Sequence, residues 1–137
     1  MQEDIKRLRD IVGSGYCCAQ TLVKMGLEAR GEENPQMVDA VATLCGGMRI
    51  GKLCGALSGG ACMLGLFDKD MARNQMTPQL AQWFEETYDS VDCLEVLKGD
   101  MSNRFQFCPA LIENVYLQAK EILFENGFDL DEMGEER

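Results

Sequence analysis

Apolar residues in this chain recur at three- and four-residue intervals almost from end to end, with no sustained alternation of the kind a half-buried strand requires. That property restricts the fold to helices. The reading is an all-α fold, a single-domain antiparallel helical bundle of about five to six helices over residues 1–137. Glycine and proline punctuate the pattern. A first helix is predicted over about Glu3 to Val12, ended by Gly13-Ser14-Gly15, and a second from Tyr16 or Cys17 to a stop at Gly31. Asn34-Pro35 supplies an N-cap and a first residue for a third helix, which ends at Cys45-Gly46. Gly46 to Lys52 holds too many glycines to continue a helix and reads as a loop. A fourth helix covers about Leu53 to Phe67. Its glycines and alanines would weaken an exposed helix but let backbones approach closely in a core, so it belongs at the centre of the bundle. Thr77-Pro78 opens a fifth helix running to Val91, Cys93 to Leu97 forms a short turn, and Cys108-Pro109 opens the last helix, which ends at Asn126-Gly127.

The chain has seven cysteines and no histidine. The missing histidine removes Ser-His-Asp and Cys-His catalysis and Cys2His2 zinc sites, so any ligand set must be sulfur, oxygen or backbone. The segment Met1 to Arg7 is too charged for a secretory core, and no apolar run approaches the roughly 20 residues that span a bilayer. The protein is therefore read as cytoplasmic, where cysteines serve metals or redox chemistry more often than structural bridges. A net charge of -10 argues against nucleic acid and against an anionic membrane surface as partners. Part of that charge is the acidic tail 129–137, which reads as a frayed, solvated terminus.

With neighbouring helices antiparallel, six of the seven cysteines fall at one end of the bundle: Cys17, Cys18, Cys45, Cys54, Cys93 and Cys108. Four of these, Cys18, Cys54, Cys93 and Cys108, stand at or near helix starts, where unpaired N–H groups favour the thiolate. Cys54, behind the glycine loop and near Lys52 and Arg49, is the expected attacking thiolate or central ligand. Four such sulfurs suit either two dithiol/disulfide couples or the ligation of zinc or an iron–sulfur cluster. No CxxC is present, so tertiary structure alone must assemble the site. Of the vicinal pair Cys17-Cys18, one thiol should pack and the other point elsewhere, because a vicinal disulfide closes a strained eight-membered ring. Cys62 is expected in the core. Gly46 to Lys52 also reads GxxxxGK, but Leu53 stands where a phosphate-binding loop needs Ser or Thr, and the preceding segment is helical.

The order Cys18-Ala19-Gln20, Gly47 to Gly51, Cys54-Gly55-Ala56-Leu57-Ser58-Gly59, Asp92-Cys93-Leu94 and Cys108-Pro109 resembles the redox-active family named for its pattern C, GCAxxG, C, C. The resemblance covers about residues 15–125. From the sequence itself, Gly47, Gly51, Gly55 and Gly59 around Cys54 read as lining a cofactor or a close substrate backbone; the resemblance implies a redox or metal role for Cys18, Cys54, Cys93 and Cys108. It implies nothing for Cys17, Cys45 and Cys62. Two functions follow. In the first, clustered cysteines carry electrons by thiol/disulfide exchange or through a zinc or iron–sulfur centre, serving an unknown redox partner, with a homo-oligomer left open. In the second, a non-catalytic helical interaction module uses its cysteines only for packing. Cys54→Ser separates them: redox activity or metal content should collapse, whereas a binding module should keep its partner.

Overall fold

The computed structural model describes residues 2–135 and is all-α, as the periodicity demands. In order the helices are α1 (Gln2–Gly13), α2 (Cys18–Ala29), α3 (Pro35–Ala40), α4 (Gly55–Gly65), α5 (Lys69–Met71), α6 (Thr77–Tyr88), α7 (Cys93–Val96), α8 (Arg104–Glu125) and α9 (Leu130–Glu135). They outnumber the expected set because three short segments, α5, α7 and α9, are themselves helical. Among the described residues, extended pairing is confined to one isolated bridge between Leu53 and Asp92.

Helix α4 is the centre, packed against α2, α6 and α8. Its glycines show how: a Cβ on Gly59 would stand 2.6 Å from the Cα of Ala19, and one on Gly60 would meet Leu80 at 2.8 Å. Gly55 faces Cys18, while Gly26 faces Met63 and Leu66, so α2 and α4 run parallel. Helix α8 runs with them, since Gly60 meets Val115 and Cys54 shares a slot with Cys108. Helix α6 runs the other way, because just past its end the Val91 carbonyl accepts the Cys54 N–H. The starts of α2 and α4, the end of α6 and the first turns of α8 therefore meet at one end. The main core joins Leu22, Met63, Leu64, Met76, Leu80, Phe84 and Val115, and a smaller cluster packs Ala19, Val23 and Leu27 under α3.

Four boundaries differ from expectation. Helix α6 does begin at Thr77 with Pro78 in its first turn, but Thr77 does not cap it: Met76 is already helical, and the cap lies at the start of α5, where the Asp68 side chain accepts the N–H groups of Asp70 and Met71. From there the helix runs through a widened turn, Ala72–Met76, into α6. A proline ring clashes with the carbonyl four residues back, and here the helix widens just ahead of Pro78, the Thr77 N–H reaching the Ala72 carbonyl five residues back. Likewise Cys108-Pro109 lies inside α8, which begins at Arg104 behind a 3-10 turn capped by Asp100. Pro109 costs little there because the carbonyl it leaves without an in-helix donor belongs to Phe105, an exposed residue. The third helix passes at Val41 into a 3-10 turn, Val41–Leu44. Finally, the described part of the acidic tail is not frayed. Leu130 is buried, and Asp131 meets Lys120 at 2.7 Å, anchoring α9; Glu136 lies outside the described residues. Among the described residues no helix is long and apolar enough to cross a membrane.

Candidate functional site

Six of the seven cysteines converge at the shared end of the bundle. Cys54, Cys93 and Cys108 line a narrow slot with Val96, Leu97, Phe107 and Leu111; its volume of about 10 Å³ admits roughly one water. Cys18 lies behind Cys54, its sulfur 2.6 Å from where a Cβ on Gly55 would be. Cys17 and Cys45, to which the sequence assigned no role, are joined in a disulfide spanning 28 residues. The vicinal pair thus splits, Cys17 to Cys45 and Cys18 to the slot. Cys62, farther along α4, is half-buried against the smaller core cluster and carries a free thiol.

Local structure holds the slot together. The Cys54 N–H donates to Val91 and the Cys93 N–H to Lys52, a clasp around the Leu53–Asp92 bridge that sets Cys54 beside Cys93. Ahead of it, Gly46, Gly47, Met48 and Arg49 have consecutive φ values of 70°, 61°, 62° and 66°, a left-handed turn. For the two side-chain-bearing residues that conformation costs about 1–2 kcal/mol each. Gly47 is required by the turn itself, since a Cβ there would sit 2.5 Å from the Lys52 nitrogen, and at Gly51 it would press on Leu94 at 3.0 Å. Together with Gly55 and Gly59, whose space α2 fills, all four motif glycines face the chain's own atoms. Met48, Ile50, Leu53, Leu94, Phe105 and Phe107 are exposed on the segments framing the slot.

The electrostatics reverse one expectation. Burial pushes the Cys54 thiol up to about 11, outweighing the Ala56 and Leu57 amides at the α4 mouth that favour the thiolate; the side chain makes no cap hydrogen bond there. Burial, then the nearby sulfurs of Cys54, Cys108 and Cys93, push Cys18 up to about 12 against the Ala19 amide. Cys93 and Cys108 are also raised by burial, but in both the Arg104 guanidinium opposes it. Cys54 is therefore a protonated thiol in neutral solution rather than the attacking thiolate, and the helpful cation is Arg104 rather than Lys52 or Arg49. Arg104 precedes Cys108 by one helical turn. That spacing is a readable signal only once α8 is known to begin at residue 104.

Among the described residues no three Cys, Asp or Glu side chains stand at a spacing that holds a metal ion. As arranged, the sulfurs do not fit zinc or an iron–sulfur centre. No curated protein and no solved structure matches the chain. The family described as putative redox-active protein (C_GCAxxG_C_C) does, over residues 16–122, and with most of its length and all the converging cysteines inside that match the chain belongs to this family.

Proposed function

We propose that the protein carries electrons in pairs by thiol–disulfide exchange, with Cys18, Cys54, Cys93 and Cys108 as the exchanging sulfurs. The observation that carries this reading is their convergence: Cys54, Cys93 and Cys108, from three separate elements, line one slot, and Cys18 from a fourth lies behind Cys54 against Gly55. Packing alone has no need to gather thiols, since a small hydrophobe fits any core position. Cys108 is the entry sulfur, being half-buried, at the slot and helped by Arg104. Its thiolate attacks a substrate disulfide, forming a mixed disulfide and releasing one substrate thiol. Cys93 then attacks the Cys108 sulfur and releases the second. The pair gives up two electrons and two protons, the substrate gains them, and a Cys93–Cys108 bond remains. Cys54 and Cys18, which burial keeps protonated and slow toward reagents in solution, form an inner pair that passes electrons outward.

The test is a glutathione redox titration of protein purified without oxygen or chelator, with disulfides mapped by mass spectrometry and iron, zinc and acid-labile sulfide measured per chain. The expected result is reversible pairing among the four sulfurs, no stoichiometric metal, and loss of exchange with an external disulfide in Cys108→Ser. Stoichiometric iron with sulfide, or zinc, would replace this reading with a metal centre. Four thiols that never pair at any glutathione ratio would reduce the cysteines to packing residues.

A further inference from the structure

We infer that the Cys17–Cys45 disulfide is a second exchangeable couple, whose oxidation passes through Cys18 into the cluster; this rests on the thiol-exchange reading above. Three observations carry it. First, both of its sulfurs sit on the first-turn amides of α2, a twelve-residue helix. Cys17 is the N-cap and its sulfur accepts the Gln20 N–H, while the Ala19 N–H donates to the Cys45 sulfur at 3.4 Å. These are amides without partners inside the helix, so each is placed to stabilise a departing thiolate. Second, the Cys18 sulfur and the Cys45 backbone share the space beside Gly55, at 2.6 and 3.0 Å from where its Cβ would be. A side chain at position 55 would wedge them apart. Third, Cys18 is barred from bonding its neighbour Cys17 by ring strain, which directs its attack onto Cys45.

The exchange balances without an outside reagent. The Cys18 sulfur, on losing its proton, attacks the Cys45 sulfur; the Cys17–Cys45 bond breaks, its electron pair leaves with Cys17, and Cys17 takes up a proton. Cys54 then attacks the Cys18 sulfur in the same way, and Cys45 leaves and is protonated. A Cys18–Cys54 disulfide remains, and two electrons and two protons have moved from Cys18 and Cys54 to Cys17 and Cys45. Because the attacking form is the thiolate, the first step should quicken about tenfold per pH unit across the neutral range.

The test uses three variants of the full chain, each checked for helicity by circular dichroism, equilibrated in glutathione buffers, quenched in acid and mapped. In Cys93→Ser/Cys108→Ser the bond is expected to divide between Cys17–Cys45 and Cys18–Cys54. Adding Cys54→Ser should halt the exchange at Cys18–Cys45 with Cys17 freed. Finding Cys17–Cys45 as the only bond in both would overturn the inference. The third variant, Cys17→Ser/Cys45→Ser, tests the other reading alone: if Cys18, Cys54, Cys93 and Cys108 still pair there while no exchange occurs in the first two, the inference fails and the proposed function stands. If they never pair there, the proposed function fails on its own account. Should a variant not fold, pulsed alkylation of the wild type decides. Cys17 labelling that rises with pH alongside loss of the Cys17–Cys45 bond is expected, and a Cys17 inert from pH 7 to 9 overturns the inference.

Discussion

Cys54 stands at the mouth of a helix and yet holds its proton to about pH 11, because Val96, Leu97 and Leu111 help remove water from the slot it faces. A thiol whose folded pKa lies above its unfolded value stabilises the fold fully below about pH 9 and ceases to do so as pH rises through the folded value, since the unfolded chain releases the proton first. The shifts from 9.0 to about 11 at Cys54 and to about 12 at Cys18 correspond to roughly 3 and 4 kcal/mol at their limits. Urea unfolding under reducing conditions should therefore show a loss of several kcal/mol between pH 9 and pH 11. Cys54→Ala should reduce that slope by roughly half, leaving the part due to Cys18, and a wild-type profile level over this range would refute the assignment. The helix mouth at Cys54 was legible in the sequence. Its desolvation was not, because the residues that shield it arrive from α7 and α8, more than forty positions downstream.

Among the elements, the contact of α2 with α4 depends on missing side chains. Gly59→Ala brings a Cβ within 2.6 Å of the Ala19 Cα, backbone against backbone, so it should cost about 2–3 kcal/mol despite a helix-propensity gain of about 1. Gly65→Ala, with nothing within 4 Å of the added atom, should stabilise by about 0.5–1 kcal/mol. Denaturant midpoints of the two variants give the comparison, and equal shifts would mean the α2–α4 approach is looser than described. The centrality of α4 could be read from its composition, because glycine and alanine inside a helix are worth their cost only where another backbone comes near. Helix starts were harder. Proline at a first position is a sound signal, but at Pro78 and Pro109 it competed with true caps at Asp68 and Asp100, and a widened turn or an exposed carbonyl lets a helix run through a proline.

Across the whole molecule, one buried cation ties the beginning of the chain to its end. Lys120 on α8 meets Asp4 of α1 at 2.6 Å and Asp131 of α9 at 2.7 Å, and the Tyr116 hydroxyl donates to the same Asp4 carboxylate. Burial alone would raise the Asp4 pKa, but the hydrogen bonds from Lys120 and Tyr116 outweigh it and hold it below the usual carboxylate value. That contribution is present above the unfolded carboxyl pKa and fades as pH falls through the lowered one. Lys120→Met should cost about 1–3 kcal/mol and open residues 129–135 to limited proteolysis; an unchanged cleavage pattern would show that Leu130 alone docks α9. The tail looked solvated in the sequence because its charges dominate. A single leucine and a lysine ten positions earlier reverse that.

The sulfurs at the bundle end differ in when they exist. Cys17 and Cys45 lie 28 residues apart near the start of the chain, whereas the slot is incomplete until Cys108 has been made. At about 5–20 residues per second a ribosome exposes the first pair roughly 3–12 seconds before the last sulfur. During that interval Cys17, Cys18, Cys45, Cys54 and Cys62, and later Cys93, are present with no complete slot to receive them. The bond outside the slot is thus the one that synthesis allows to close first.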